Sequence, residues 1–307
     1  MTPTPLVSIS CITYNHAPYI RECLDGFMMQ QTNFPFEVLI HDDASTDGTA
    51  DIIREYAEKY PDIIKPLYEE ENQWVKGRRG SAVFNFPRAQ GKYIALCEGD
   101  DYWTDPLKLQ KQVDILERNS NVSIVFCKVE AVSIDNTLLG WTIPFGSGIK
   151  EGVVTIDDYL REEFYKGRWT FHTSSMLFRN DQNWLQESLD KELQLFPHGD
   201  MALMLSYLGK GNGFYLPDCC SAYRLFSGGY NSSLNDNPEK KVFETKRKIA
   251  ALQSYNQCTK FKYHNYLKRG IERLECDLKS NFRTKGVILI PKYWWVLLER
   301  IKSRFDA

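Results

Sequence analysis

No C-x-x-C pair occurs among the eight cysteines, and neither an internal repeat nor a low-complexity segment interrupts the chain. Most of the thiols sit in apolar runs, which excludes a paired-cysteine metal site and a disulfide framework and points to small buried thiols in a reducing compartment. No stretch reaches the roughly 18 uninterrupted apolar residues that argue for a membrane-spanning helix. The nearest approach, Val287 to Ile301, is broken by Pro291, Lys292, Glu299 and Arg300. Residues Met1 to Pro5 lack the charged stretch and apolar block of a secretion signal, so the expectation is a cytoplasmic protein.

What is present is a 307-residue chain, 43% apolar and 13% aromatic, enough for a large core. That length fits two domains, or one α/β domain with an appended segment. The net charge of −2 hides an uneven distribution. From Pro238 to Ala307 there are 17 Lys and Arg against 7 Asp and Glu, a balance of +10, which leaves −12 for the rest. An acidic body joined to a basic tail is a pattern that suits a polyanionic or membrane-surface partner.

Leu6–Ile12 reads as a buried strand, and Ile20, Cys23, Leu24, Phe27 and Met28 follow at helical spacing. Phe36–Ile40 is a second strand that ends in Asp42-Asp43-Ala44-Ser45-Thr46-Asp47-Gly48-Thr49, before a helix marked by Ile52, Ile53 and Tyr56. Tyr93–Cys97 is a strand ending in Glu98-Gly99-Asp100-Asp101. Asp105-Pro106 reads as a helix start, and Val122–Val132 as a strong strand. Alternating strands and helices predict a mostly parallel sheet covered on both faces, with ligands bound beyond the carboxyl ends of the strands. Farther along, Thr170–Arg179 and Gly213–Leu216 read as strands and Met201–Leu208 as a helix. Ser227 to Ser232 is a loop, and a long helical region runs from Asn237-Pro238 to about Phe282 with Gly270 its weak point.

The chemistry lies in the two acidic strand ends. Adjacent carboxylates such as Asp100 and Asp101 repel one another unless a cation or a set of hydroxyls lies between them. Hard oxygen ligands of this kind suit Mg²⁺ or Mn²⁺ shared with substrate phosphates, while helix capping or solvation is the plainer alternative. The Asp42-to-Thr49 cluster is rich in ordinary turn and cap residues, yet two aspartates precede the cap, and one of them can accept from a nucleobase N–H.

Val7-Ser8-Ile9-Ser10-Cys11-Ile12-Thr13-Tyr14-Asn15, the Asp42-to-Thr49 segment, Gly91-Lys92-Tyr93-Ile94-Ala95-Leu96 and Glu98-Gly99-Asp100-Asp101 together resemble the family-2 glycosyltransferases in order and interval, over roughly residues 5 to 230. The resemblance implies a GT-A fold and an inverting transfer of sugar from a nucleotide-diphosphate donor, UDP favoured, to an acceptor hydroxyl, in bacterial polysaccharide or lipopolysaccharide synthesis. It implies residues 1–235 as the catalytic domain, with 1–130 the nucleotide-binding half and 131–235 the acceptor and base half, and 236–307 as a basic helical extension. It implies Thr13 and Tyr14 against the nucleobase, Asp43 accepting the base N–H, Asp100 facing ribose or metal, and Asp101 binding Mn²⁺ or Mg²⁺. Asp200 matches the family's catalytic base, although Gly199 stands where a Glu is common. Arg79 lies where the family places a basic residue against the donor, without the family's Arg-Asn pattern. Phe226 occupies a position where relatives carry a His that touches metal or diphosphate, and Arg224 is the substitute for that contact.

Several readings stay open. Trp103 and Trp169 either stack on sugar rings or pack in the core. The basic tail, with Pro291-Lys292-Tyr293-Trp294-Trp295, either lies on an anionic membrane face near a lipid-linked acceptor or packs with its lysines solvated. A nucleotidyltransferase also uses strand-end metal carboxylates, but no glycine-rich basic loop follows the first strand; a non-catalytic sugar-nucleotide binder would lack Asp200. The acidic body argues against nucleic acid as a partner.

Overall fold

The structure, a computed structural model, describes residues 3–77, 80–182, 196, 199–226, 229, 234 and 237–283. Strand β1 (Val7–Thr13) is buried at every position but Ile12, as expected of a central strand rich in β-branched residues. Strands β2 (Phe36–Asp42) and β4 (Tyr93–Leu96) pair with it in parallel on either side, and β3 (Ile64–Tyr68) lies outside β2. Thr13 is in register with Asp42, and Ser10 with Leu96, so the carboxyl ends of β2, β1 and β4 emerge side by side. Helices α1 (Ile20–Met28) and α2 (Thr49–Lys59) connect these strands, and α1 turns Ile20, Cys23, Leu24 and Phe27 inward. A short helix α3 (Ser81–Phe84) precedes β4 and carries the chain to Asn85, a buried side chain whose amide donates to Ser10 Oγ, Cys11 O and Leu39 O.

The remaining elements are β5 (Tyr102–Trp103), α4 (Lys108–Arg118), β6 (Val122–Val132), β7 (Leu138–Ile143), β8 (Gly152–Val154), α5 (Ile156–Leu160), β9 (Leu177–Arg179), α6 (Gly199–Lys210), β10 (Asn212–Arg224), α7 (Pro238–Cys258) and α8 (His264–Arg283). Among the described residues the strands form one sheet in the order β3-β2-β1-β4-β9-β6-β10-β5, with β7 on β6 and β8 on β10. The expectation of a mostly parallel sheet holds for β1 to β4 and for β6 with β10; β9 runs antiparallel to both neighbours, and β5, β7 and β8 also pair antiparallel, which makes the sheet mixed.

Four local expectations are corrected. The strand read as Thr170–Arg179 shrinks to Leu177–Arg179, because His172 accepts the Ser174 N–H and Ser175 Oγ donates to His172 O, which winds Thr173–Ser175 into a 3₁₀ turn. Helix α4 starts at Lys108, since Asp105 Oδ1 first accepts the Leu107 N–H. Strand β10 continues well past Leu216, through register shifts, to Arg224. The long C-terminal helix breaks before His264, not at Gly270: Lys260 and Phe261 adopt left-handed φ of 50° and 62° and turn α8 back. Gly270 lies inside α8, where a Cβ would come within 3.1 Å of the Phe164 Cβ.

Two cores fill the two faces of the sheet. One gathers Ile9, Phe27, Ile40, Ile53 and Trp103 from α1, α2 and the first strands. The other gathers Ile94, Phe126, Phe171, Phe178 and Tyr207, together with Ala251, Leu252, Tyr255 and Leu267 of α7 and α8. The described part of the basic extension therefore shares a core with the body. All eight cysteines are free; Cys11, Cys23, Cys97, Cys127 and Cys220 are buried, while Cys258 and Cys276 are exposed. Trp103 is core: 1% exposed, edge-on to Phe27, with Lys108 Nζ 4.1 Å from its ring. No helix among the described residues is long and apolar enough to cross a membrane; Pro291–Lys302 lies outside them.

Gly91 seats β4 against β1. Its N–H donates to Ser8 Oγ at 2.8 Å, and a Cβ there would lie 2.5 Å from Ser8 N and 2.7 Å from Val7 C. Because those atoms are backbone, neither can yield cheaply, and Gly91→Ala is expected to destabilise by roughly 1–3 kcal/mol. Urea unfolding checks this; a midpoint equal to the wild type's would refute it.

Candidate active site

The loops after β1 and β2 are tied together by their own side chains. Asn15 N–H donates to Ser45 Oγ, Thr46 N–H to Asn15 Oδ1, His16 N–H to Thr49 Oγ1 and Ala17 N–H to Asp47 Oδ2, each at 2.9 Å. Asn15 and Ala44 take left-handed φ of 54° and 61° to make the two turns. Asp42 accepts Ser45 Oγ–H at 2.5 Å, and Asp47 accepts both the N–H and the hydroxyl of Thr49. Burial raises the Asp47 carboxyl, but these hydrogen bonds outweigh it and hold the group below the usual carboxylate range. Asp42 and Asp47 thus build the loop, and Asp43 is the carboxylate turned the other way.

Asp43 is 8% exposed, and its two oxygens accept the Gln73 and Trp74 N–H groups at 2.6 and 3.1 Å. Each oxygen keeps a further lone pair for another donor. Thr13 Oγ1 is buried without a hydrogen-bond partner, and the side chain rests against Gly99, where a Cβ would approach that oxygen to 2.7 Å. Tyr14 beside it is 45% exposed. Thr13, Tyr14 and Asp43 therefore come together at adjoining strand ends, as the sequence implies. Arg79 lies outside the described residues.

The carboxylates after β4 sit one strand away. Gly99 N–H extends the ladder to Ile12 O, and Asp101 N–H closes a turn on Glu98 O. Asp101 is 2% exposed; its Oδ1 accepts the Arg224 N–H at 3.0 Å, and its Oδ2 is buried with no hydrogen-bond partner. That orphan oxygen lies 3.6 Å from His172 Nδ1. Ligand atoms of Glu98, Asp101 and His172 all fall within 4.8 Å of one another. Burial pushes His172 down to about 3, so the ring is neutral, and the Ser174 N–H points at Nδ1. Burial, then Asp100 and Glu98, push the Asp101 carboxyl well up, offset in part by Arg224. Burial, then Asp100 and Asp200, push Glu98 up to about 8. A buried, unpartnered carboxylate oxygen among mutually repelling carboxylates is the donor set a hard divalent cation fits.

Asp200 stands in the first turn of α6, where its Oδ1 accepts the Met201 N–H at 2.6 Å. Its charge reaches Glu98 and also the buried Tyr159 hydroxyl. Asp100 is less buried than Asp101 and lies 3.8 Å from His16 Nε2.

Arg224 is engaged differently from the expectation of a donor-binding arm. It is 3% exposed; Nε donates to Asp100 O, Nη1 to Ile134 O and Asn136 Oδ1, and Nη2 to Glu22 at 2.6 Å. The guanidinium also lies over the rings of Tyr19 and Tyr102, at 4.9 and 5.1 Å. Phe226, where a His is common, packs its ring on Tyr19 at 4.9 Å. Sequence reasoning assigned no part to Glu98 or His172. Glu98 was visible in its motif, but nothing local marks His172, which reaches Asp101 only through the 3₁₀ turn.

Residues 8–188 match the model of glycosyl transferase family 2. A putative teichuronic acid biosynthesis glycosyltransferase of Bacillus subtilis, TuaG, is 31% identical over 242 residues, which cover 78% of this chain and 86% of that relative. The chain spans about a third, 36%, of the length of uncharacterized mycobacterial relatives with which it is 49% identical over 129 residues. Among solved structures, S. aureus TarS 1–349 in complex with UDP-GlcNAc aligns with TM-score 0.56 and 20% identity, covering 82% of this chain and 70% of that one. The mannosyltransferase PcManGT of Pyrobaculum calidifontis, in complex with GDP-Man and Mn²⁺, aligns with TM-score 0.56 and 19% identity, covering 98% and 81%. At those identities the likeness is one of fold, and the fold is GT-A.

The carboxylate cluster has a pH signature of its own. Glu98 holds its proton in the folded chain up to about 8, and the same group titrates near 4.5 when unfolded. Its contribution to stability is therefore full below about 4.5 and is lost as pH rises through about 8. With chelator present, the wild type is expected to lose more melting temperature between pH 6.5 and 8.5 than Glu98→Gln does. Parallel pH profiles for the two proteins would overturn this.

Proposed function

The chain belongs to glycosyl transferase family 2, and on that premise we propose that it moves a sugar from a nucleotide-diphosphate donor to an acceptor hydroxyl, with inversion and with a divalent cation. Family membership removes the nucleotidyltransferase reading. The observation that carries the metal-dependent reading is the orphan Asp101 Oδ2, buried among Glu98, Asp100 and His172 at the end of β4.

In this reading Thr13, Tyr14 and Asp43 hold the nucleoside, Asp43 through the lone pairs that Gln73 and Trp74 leave over. Asp101 offers a buried oxygen for Mn²⁺ or Mg²⁺, and the half-buried Glu98 and Asp100 offer more accessible ones. When bound, the cation offsets the charge that develops on the departing diphosphate, as a Lewis acid. Asp200 takes the proton of the acceptor hydroxyl, whose high pKa requires a base within hydrogen-bond reach. Arg224 positions Asp100 and Asp101 through its backbone N–H and Nε, and four of its five guanidinium N–H groups are engaged within the fold.

A UDP-sugar is the favoured donor, and the complexes of its fold neighbours with UDP-GlcNAc and with GDP-Man make both carriers the ones to try. The name of TuaG supports a place in polysaccharide synthesis. A lipid-linked acceptor, and contact of the basic C-terminal helices with the inner face of an anionic membrane, belong to the same proposal.

Incubation with UDP- and GDP-sugars, Mn²⁺ or Mg²⁺ and saccharide acceptors should release nucleoside diphosphate, and chelator should stop it. Asp200→Asn should lower that rate by roughly 10²–10⁴-fold, the usual worth of a positioned base, while nucleoside diphosphate still raises the melting temperature. Asp101→Asn should remove the metal-dependent part of that rise. Full turnover by Asp200→Asn would dismiss its role as base, and release of a nucleoside monophosphate would dismiss the reaction itself.

A further inference from the structure

Apart from the two large cores, a third apolar cluster joins Val129, Ile143 and Tyr223, with the partly buried Trp141, Trp169 and Leu225 packed on it. Its rings form a row that starts at the carboxylates. His172, 3.6 Å from Asp101, lies 4.4 Å from the Tyr223 ring and 5.6 Å from Trp169. Trp169 meets Tyr223 edge-on at 5.3 Å and is followed by Trp141 at 6.2 Å. Nε1 of Trp169 donates to Phe171 O at 3.0 Å, which holds that indole in place.

We infer that Trp141 and Trp169, backed by the buried ring of Tyr223, form a stacking surface for a pyranose ring of a saccharide acceptor, leading its hydroxyl toward the carboxylate cluster. The inference rests on the glycosyl-transfer reading and names the acceptor's chemical class. A pyranose has an apolar C–H face and a rim of hydroxyls. The negative face of an indole attracts the polarised C–H bonds and leaves the rim free to hydrogen-bond. A purely structural aromatic would be enclosed, as Trp103 is at 1% exposure. The two indoles here stay partly open, and the row abuts Asp101 and His172, which suits a polyhydroxylated ring better than a lipid tail. Leu138 and Leu139, exposed on the same strand β7, are where a lipid would bind instead.

The test uses the full chain with chitotetraose, cellotetraose and mannotetraose as probes, read by saturation-transfer NMR and titration. At least one tetrasaccharide should bind through its ring C–H protons. Trp141→Ala should weaken it about tenfold, which corresponds to about 1.4 kcal/mol, and Trp141→Phe, which keeps an aromatic face and the packing, should weaken it less. Leu138→Ala should bind as the wild type does. Melting-temperature shifts with nucleoside diphosphate show that each variant is folded and keeps its donor site. Binding of none of the probes, unchanged binding by Trp141→Ala, or an equal loss in Leu138→Ala would each overturn the inference. If tetrasaccharides bind through Trp141 while no nucleotide sugar is turned over, the stacking surface stands and the transfer reading falls.

Discussion

Crowding of Glu98, Asp100 and Asp101 at the end of one buried strand is the constraint around which the rest of the structure is arranged. Burial and the neighbouring carboxylates raise the proton affinity of Glu98 and Asp101, and Asp101 retains an oxygen with no hydrogen-bond partner. Such a group persists only where the surrounding fold holds it in place. Here the holding is done by backbone: Gly99 N–H on Ile12 O from one side, and the Arg224 N–H on Asp101 Oδ1 from the other.

Arg224 explains why β10 is so long. The strand passes through two irregularities after Leu216 to deliver this residue to the end of β4, more than a hundred positions away in the chain. There its guanidinium ties Asp100 O, the β6–β7 turn at Ile134 and Asn136, and Glu22 of α1 into one knot. The side chain thereby joins the half of the fold that bears β1 to β4 to the half that bears His172 and Tyr223. Phe226 packing on Tyr19 continues the same contact.

The loops after β1 and β2 follow another logic. Asp42, Ser45, Asp47 and Thr49 satisfy one another and the Asn15–Ala17 backbone, so these loops are tied together without any ligand. Rigid donors and acceptors need little reordering on binding, which is where much of the cost of recognition otherwise falls. On the far side the aromatic row beside His172 is built from a cluster separate from both main cores and tied to one of them through Trp169 Nε1 on Phe171 O.

The parallel first half and the strand ends that carry Thr13, Asp43 and Asp101 were legible in the sequence, because each rests on local signals: an apolar run of period-free burial, then a polar turn. Arrangements that join distant segments were not. His172 reaches Asp101 through a 3₁₀ turn made by its own side chain, where alternation alone reads a strand. The charge of Arg224 is written in the sequence, but its partners Glu22 and Asn136 are not adjacent to it and appear only in the fold. Local patterning thus determined which strands form and which residues stand at their ends. Tertiary packing alone decided which of those charges face one another and which are neutralised by the fold, since electrostatic partnership depends on distance in space and not on order along the chain.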